Sequence, residues 1–320
     1  MNNLPIGVHA TKGTVRGTLD FISRLEKAGL QTAWLTNTAQ APDPLGVLAV
    51  AAANTDRIEL GTSIVQTYPR HPLALVQQAL VIDELAPGRL RLGVGPSGPR
   101  VIEPTFGIPY TRPTTHLREY VTILRTALQT GSVDFHGELL TGRLRLSGPT
   151  QVRVLASALR GKSFHLAGAI ADGAISWMCA REYIRDVAAP AIAAGADEAG
   201  RERPPLIVHV PLVVSTDEAA VRRQVPVQFG FYLKVQMYQN MFRDAGFPEA
   251  AEGTFSERLT DHLAIWGDEE TVRRRVAEMR EYGASEILVS IVNLDDDRAA
   301  ADRTVEVLGD LARDIGTSVL

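Results

Sequence analysis

The sequence predicts a (β/α)8 barrel, an α/β fold of the TIM-barrel type, with insertions after strand 4 and strand 7. Short β-branched or apolar runs alternate with longer helix-like segments along the whole chain. Eight such pairs can be counted, which is the number that this barrel requires. The length of 320 residues is normal for a barrel with insertions, and 45% hydrophobic residues are enough for a sizeable core.

The eight predicted strands are short apolar segments that are rich in β-branched residues. They cover residues 6–10, 32–35, 58–65, 90–94, 152–156, 173–176, 206–214 and 287–292. Alternation of strands and helices alone also allows an open, doubly wound sheet. No Gly-x-Gly-x-x-Gly follows the first strand, however, and this weakens a Rossmann-like interpretation.

The predicted helices follow the strands and carry recognisable ends. They cover residues 18–28, 45–53, 72–85, 115–128, 162–170, 181–199, 268–282 and about 298–315. Gly29 ends the first helix, and Asp268 is placed to cap the seventh. Pro190 must kink or divide the helix in which it lies, because proline removes a backbone donor. Residues 132–146 are expected to form a small excursion with turn glycines.

Two segments are too long to be plain connections and are therefore expected to form functional surface. The first covers residues 95–113 and is rich in Pro and Gly, and the second covers residues 226–257. The second segment contains large apolar side chains that suit either an apolar or bulky ligand or the packing face of a helical hairpin. These are Phe229, Phe231, Tyr232, Met237, Tyr238 and Met241.

Composition narrows the function classes. A net charge of −4 argues against a nucleic-acid-binding surface, and no apolar run approaches the length of a membrane span. The single cysteine, Cys179, allows no intramolecular disulfide, which suits a reducing compartment. We therefore expect one cytoplasmic domain over residues 1–320, with a small-molecule or peptide-derived substrate and no nucleic-acid or membrane partner. Homodimerisation is left open.

Motifs between residues 57 and 95 carry a family resemblance. The third strand region reads Arg-Ile-Glu-Leu-Gly-Thr-Ser-Ile-Val, Tyr68-Pro69-Arg70-His71-Pro72 opens the next helix, and Pro87-Gly88-Arg89-Leu90-Arg91-Leu92-Gly93-Val94-Gly95 forms the fourth strand. Ala158-Leu159-Arg160-Gly161-Lys162 and Ala171-Asp172-Gly173 add to the pattern. Together these stretches resemble the luciferase-like monooxygenase superfamily. Residues 66–72 and Trp177-Met178 resemble its branch of coenzyme F420-dependent oxidoreductases.

The resemblance implies a deazaflavin, coenzyme F420, lying across the C-terminal mouth of the barrel, with FMN as the alternative cofactor. It implies a cis peptide bulge at Ser63–Ile64, although both could be ordinary strand residues. It also implies that Arg160, Gly161 and Lys162 bind the cofactor phosphate at a helix start, where the alternative is an ordinary turn with solvated cations. The full set of implied cofactor-binding residues is Ser63, Ile64, Gly95, Pro96, Ser97, Ala158, Arg160, Gly161, Lys162 and Trp177.

The reaction that we expect is inferred from a pair of residues that this chain lacks. Alcohol and sugar-phosphate dehydrogenases of this class carry an Asp-His-like pair after the second strand, where this chain has Thr36-Asn37-Thr38. This disfavours alcohol oxidation and favours reduction of an activated C=C or C=N bond. An FMN-dependent monooxygenase and a non-catalytic flavin- or deazaflavin-binding barrel are the competing hypotheses.

Several polar side chains are candidates for contact with the substrate. The catalytic candidates are His9, Asn37 and Glu103, and Tyr110 and His116 are further candidates for polar contact. Each has a structural alternative: His9 as a barrel-end hydrogen-bond partner, Asn37 as a turn cap, and Glu103 as an ion-pair partner of Arg100 or Arg112. His71 and Cys179 are expected to be structural. No metal site is expected, since the histidines show no ligand spacing.

Overall fold

The computed structural model describes residues 4–297 and 299–317. Eight parallel strands close into a barrel in the order β1-β2-β3-β5-β8-β9-β10-β12, and β12 pairs again with β1. This confirms the predicted fold class. In chain order the strands are β1 (Ile6–His9), β2 (Thr32–Leu35), β3 (Glu59–Thr62), β4 (Val65–Gln66), β5 (Leu90–Gly95), β6 (Ser132–His136), β7 (Thr141–Arg145), β8 (Arg153–Ser157), β9 (Ala174–Trp177), β10 (Leu206–Val214), β11 (Ile265–Gly267) and β12 (Glu286–Ile291).

The helices surround this barrel. They are α1 (Val15–Ala28), α2 (Pro44–Ala53), α3 (Pro72–Leu85), α4 (Pro99–Phe106), α5 (Pro113–Thr130), α6 (Gly161–Ile170), α7 (Arg181–Tyr183), α8 (Ala189–Glu198), α9 (Glu218–Phe229), α10 (Gln236–Asp244), α11 (Pro248–Ala251), α12 (Glu257–Leu263), α13 (Glu269–Glu278) and α14 (Ala300–Thr317). Arg298, where the last predicted helix begins, lies outside the described residues. Within the described part of the chain, no helix combines the length and apolar character needed to span a bilayer.

Three segments differ from their sequence-based prediction. The third strand is interrupted after Thr62 and resumes as β4, which pairs with β5. β11 was not predicted, and it extends the sheet by pairing with the long β10. The helix predicted over residues 181–199 begins with α7, continues as a π-helical turn (Ile184–Ala188) and ends with α8, where Pro190 lies in the first turn. Pro190 has no N–H for the regular i→i−4 bond, and the helix changes to π-helical bonding directly before it, where the Ala189 N–H donates to the Ile184 carbonyl.

The two insertions have regular structure. The first contains α4, and the second contains the end of α9, a 3-10 helix (Gly230–Lys234), α10 and α11. The predicted excursion is an antiparallel hairpin of β6 and β7. Asp268 caps α13, since its carboxylate accepts a hydrogen bond from the Thr271 N–H at 2.9 Å. Both cap and excursion match the prediction.

A tryptophan fills the interior of the barrel. Trp34 on β2 is fully buried and packs in a cluster with Leu155, Ile175, Ile207 and Leu288 from four other barrel strands. Gly7 on β1 and Gly61 on β3 leave room for its indole, because a Cβ at either position would overlap with the ring. The interior is therefore closed by side chains, and the open part of the barrel lies beyond the C-terminal ends of the strands.

Candidate active site

Polar side chains gather where the barrel strands end at their carboxyl side. His9 is the last residue of β1, Thr36 follows β2, and Ser63 follows β3. Gly95 and Trp177 are the last residues of β5 and β9. Since active sites of (β/α)8 barrels form at this face, we call the region that these residues surround the mouth.

The peptide bond between Ser63 and Ile64 is cis, as the sequence predicts. The segment after β2 holds this bulge through three hydrogen bonds. The Thr36 hydroxyl donates to the Ser63 carbonyl at 2.8 Å, and the Asn37 N–H donates to the Ile64 carbonyl at 3.2 Å. In the third bond the Ser63 N–H donates to the carbonyl of Leu35 at 2.8 Å. Asn37 thus supports the bulge through its backbone.

His9 lies next to this bulge. Its Nε2 is 3.1 Å from the Thr36 hydroxyl and 3.2 Å from the Thr11 hydroxyl. Burial, helped by the positive charge of Lys12, lowers the pKa of His9 to about 4. The side chain still keeps part of its surface accessible. His9 is therefore a neutral imidazole at the edge of the mouth at physiological pH.

A second histidine, which sequence reasoning did not select for the site, lies beside His9. The ring centroids of His9 and His209 are 6.2 Å apart, and His209 packs on Trp177 with a centroid distance of 4.0 Å. His209 Nε2 is 2.8 Å from the Ser290 hydroxyl of β12, and burial holds its pKa well below the usual value. The available signal was a lone histidine within the otherwise apolar strand β10.

Small residues line the side of the mouth between β3 and β8. A Cβ at Gly95 would overlap with the Ser157 hydroxyl and lie 3.1 Å from Ile64 Cδ1. Ser97, just beyond β5, has a φ of 60°, which is uncommon for a residue with a side chain. Its carbonyl accepts a hydrogen bond from the Tyr110 hydroxyl at 3.0 Å. Unusual backbone of this kind concentrates at functional sites.

The second insertion supplies an aromatic wall. We use this term for Trp177, Phe229, Tyr232 and Tyr238. The Trp177 ring lies 5.5 Å from Phe229 and 5.6 Å from Tyr232, both edge-on, and Tyr232 lies 4.8 Å from Tyr238. Phe231, by contrast, is 64% exposed. The predicted aromatic set therefore divides into residues that form the wall and residues that do not.

The predicted phosphate-binding residues lie at the start of α6. The Arg160 guanidinium pairs with Asp244 of α10 at 2.8 Å, and the Gly161 backbone lies close to the Tyr183 hydroxyl. Lys162 is exposed, and neither its amide nor its ammonium group has a partner within residues 4–297 and 299–317. Lys162 is thus the free cation of this turn, whereas Arg160 is already neutralised. Tyr183 is a neighbour that the sequence did not indicate.

Ala158 and Pro96 occupy their expected positions beside the strand ends. Ala158 follows β8, is buried, and donates its N–H to the Ile175 carbonyl at 2.9 Å. Pro96 follows β5 and is partly buried. Ala158 and Pro96 thus provide a small and a rigid side chain next to the mouth. They lie between its glycine-lined side and the start of α6.

Glu103 is not brought to the mouth cluster. It lies exposed on α4, where its carboxylate accepts a hydrogen bond from the Tyr110 N–H at 3.1 Å. The expected ion pair is wrong, because Arg100 donates to the Lys234 carbonyl and Arg112 pairs with Glu138. Glu103 thus holds the loop that follows α4 through a hydrogen bond to its backbone.

The contacts of His116, His71 and Cys179 are those of structural residues. The buried ring of His116 stacks on Tyr68 at 4.0 Å. His71 caps α3, with its Nδ1 accepting a hydrogen bond from the Leu73 N–H. Cys179 is buried, and burial raises the pKa of its thiol to about 12, so it stays protonated.

Known proteins resemble this chain over most of its length. A 5,10-methylenetetrahydromethanopterin reductase of Methanolobus tindarius is 25% identical over 284 residues, which cover 82% of this chain and 86% of the relative. The structure of an F420-dependent secondary alcohol dehydrogenase with an F420–acetone adduct superposes with a TM-score of 0.81 at 18% identity, over 98% of this chain and 99% of that one.

A flavin enzyme shares the fold as well. The oxygenating constituent of 3,6-diketocamphane monooxygenase from Pseudomonas putida, in complex with FMN, superposes with a TM-score of 0.70 at 17% identity over 97% of each chain. The two structural likenesses concern the fold, whereas the family is established by sequence. The profile of the luciferase-like monooxygenase family matches residues 2–286. The chain therefore belongs to the luciferase-like monooxygenase family.

Proposed function

We propose that the chain is a coenzyme F420-dependent reductase that transfers hydride from the reduced deazaflavin to an activated C=C or C=N bond of a small or natural-product substrate. The observation that carries the proposal is the combination, at the same end of the barrel, of the cis Ser63–Ile64 bulge and Lys162, an exposed cation at the start of α6 that has no partner among the described residues. In the family that the chain resembles, such a bulge lies behind the flat ring, and a cation at a helix start suits the phosphate of the cofactor.

The described residues fit such a cofactor. The bulge at Ser63 and Ile64 offers a surface for the ring, and the start of α6 offers the amide and ammonium of Lys162 to a phosphate. When bound, a deazaflavin supplies two-electron hydride transfer and reacts poorly with oxygen. The protein's share is to orient the substrate and exclude water.

The aromatic wall fits the task of excluding water. Phe229 and Tyr232 each contact Trp177 edge-on, at the end of β9. A wall of this kind binds an apolar or conjugated substrate and lowers the water content next to the ring. The sequence relative that is named a 5,10-methylenetetrahydromethanopterin reductase supports the assignment of a reductase.

Two other functions compete with this proposal. The family name and the FMN complex of the Pseudomonas enzyme favour an FMN-dependent monooxygenase. The absence of an Asp-His pair after β2 motivates a non-catalytic deazaflavin-binding barrel. The three candidate functions differ in which cofactor binds and in whether the bound cofactor reacts with a substrate.

A titration separates the candidates. We expect F420 to quench tryptophan fluorescence because Trp177 borders the mouth, and Lys162→Ala to weaken binding by about 10- to 100-fold, the value of a charge-assisted contact. Lys27→Ala, on an exposed turn of α1, is the matched control. Tight binding of FMN without a response to F420 would overturn the proposal, and binding of F420 without turnover of any activated alkene or imine would favour the non-catalytic barrel.

A further inference from the structure

An acidic side chain of the second insertion is in contact with the turn that is proposed to bind phosphate. Asp244, the last residue of α10, accepts hydrogen bonds from both Nε and Nη2 of Arg160 through a single carboxylate oxygen, at 2.9 and 2.8 Å. A guanidinium can use the same pair of donors when it binds a phosphate in a bidentate way. The donors that Arg160 would offer to a phosphate are therefore held by Asp244.

Asp244 acts on the rest of the turn as well as on Arg160. Burial raises the pKa of the Tyr183 hydroxyl, and the negative charge of Asp244 adds to that rise. The Tyr183 hydroxyl in turn lies close to the backbone of Gly161, the first residue of α6. A carboxylate therefore lies near the start of α6, where the helix dipole favours a negative charge.

We propose that Asp244 is an internal competitor of the cofactor phosphate for Arg160, so that cofactor binding releases α10 from the start of α6. This inference rests on the proposed function, because that function places the phosphate of the cofactor at this turn. It gives the second insertion a role in cofactor binding, since the competing carboxylate belongs to α10. Arg160 then exchanges one anionic partner for another, and Asp244 becomes solvated.

The ion pair is weak enough to be exchanged. The side chains of Arg160 and Asp244 are 50% and 42% exposed. Ion pairs between exposed side chains contribute little to stability, because water and salt screen the charges. A phosphate forms the same charge-assisted contacts with Arg160, and the exposed Lys162 at the start of α6 adds a second cation. The phosphate should therefore displace the carboxylate.

The helix that carries Asp244 also carries part of the aromatic wall. Tyr238 is on α10, and its ring lies 4.8 Å from that of Tyr232. Met241 and Phe242 of the same helix are fully buried and keep it attached to the core. Loss of the contact with Arg160 should therefore loosen α10 without unfolding it. Phosphate binding at the turn thus changes how firmly one side of the aromatic wall is held.

The release of α10 can be measured without any cofactor. Asp244→Asn keeps the size of the side chain but removes its charge, so amide hydrogen exchange over residues 236–244 should be faster in this variant than in the unaltered protein. Asp302→Asn is the matched control, because it removes an exposed ion pair between α14 and Arg24 of α1. It should leave exchange over residues 236–244 unchanged. Equal exchange over these residues in Asp244→Asn and the unaltered protein would overturn the inference.

The competition itself is tested by binding. Asp244→Asn should bind F420 about 2- to 10-fold more tightly than the unaltered protein in a fluorescence titration, because no ion pair has to be broken. In an Arg160→Gln background the same substitution should give a smaller gain, since the shared cation is gone. Asp302→Asn should bind F420 as the unaltered protein does.

The titration also separates this inference from the proposed function. Unchanged or weaker binding of F420 by Asp244→Asn would overturn the inference and leave the proposed cofactor standing. FMN also carries a phosphate, so a protein that binds FMN but not F420, and binds FMN more tightly as Asp244→Asn, would overturn the proposed function and support the inference.

Discussion

At the scale of single residues, the mouth is marked by two imidazoles that stay neutral at a depth where a charge is unfavourable. His9 and His209 each keep one nitrogen on a hydroxyl group, from Thr36 and Ser290 respectively. Hydroxyl partners satisfy a neutral ring without supplying a counter-charge that would stabilise the protonated form. The resting site therefore carries no imidazolium near neutral pH.

These histidines should make the fold sensitive to mild acid. Both have a folded-state pKa below the ordinary 6.5, so the unfolded chain binds more protons. The free energy of unfolding should then fall as the pH is lowered from about 6.5 toward about 4, by up to about 1.4 kcal/mol per pH unit for each ring. Urea unfolding of His9→Gln and His209→Gln across this range should show flatter profiles, and His136→Gln an unaltered one. Parallel profiles in all four proteins would contradict the assignment.

Part of this site could be predicted because some positions are recognisable from the residues next to them in the sequence. His9 ends a strand, and Ser63–Ile64 lies in a motif of the family, so both could be named in advance. His209 could not be named, because its place beside His9 depends on closure of the barrel between β12 and β1. Glu103 was selected for being a carboxylate in a loop near the fourth strand, although its partner proved to be a backbone N–H.

At the scale of elements, buried carboxylates anchor the segments that have little core of their own. Glu119 on α5 accepts hydrogen bonds from the backbone N–H groups of Glu138, Leu139 and Leu140 at 2.7, 2.9 and 2.8 Å. These groups form the turn of the β6–β7 hairpin, which is paired with no strand of the barrel. A two-stranded hairpin is marginal alone, so the contact with α5 holds it in place.

Removal of this anchor should loosen the hairpin selectively. Glu119→Ala leaves three N–H groups of the turn without their acceptor and should lower the free energy of unfolding by about 1.5–3 kcal/mol. Hydrogen exchange should accelerate in residues 132–145 more than in the barrel strands. Glu138→Ala, which removes an exposed ion pair with Arg112, is the control and should have a much smaller effect. Uniform acceleration over the whole chain would argue against a local anchor.

Most elements were predictable because strand and helix periodicity are local properties. The eight barrel strands and the hairpin follow from apolar runs and turn glycines. Residues 58–65 were predicted as one strand, and only the cis bulge at Ser63–Ile64, which separates β3 from β4, was implied by the family resemblance. β11 was not predicted because a strand of three residues is too short to show an alternating pattern. It is defined by its pairing with β10.

At the scale of the whole molecule, stability and function occupy opposite ends of the barrel. At the N-terminal end, Arg91 on β5 donates to the Glu286 carboxylate of β12 across the barrel at 2.6 Å, and its guanidinium lies 4.8 Å from the Trp34 ring. Both charged side chains are almost fully buried. The mouth, with the cis Ser63–Ile64 bulge and His9, lies at the other end. The buried pair is a route to changing stability without touching the site.

This separation can be tested by removing one or both charges. Glu286→Leu leaves the buried Arg91 with only its longer ion pair to Glu59 at 3.4 Å and should lower the free energy of unfolding by up to about 3–5 kcal/mol. The double variant Arg91→Met with Glu286→Leu should recover most of that loss, because an apolar pair of similar volume needs no desolvation of charge. Urea unfolding measures both. Cofactor affinity at low temperature should stay unchanged in the double variant, since neither residue borders the mouth. A loss of affinity in a stably folded double variant would show that the two ends of the barrel are coupled through Trp34, whose indole packs between Gly7 and Gly61.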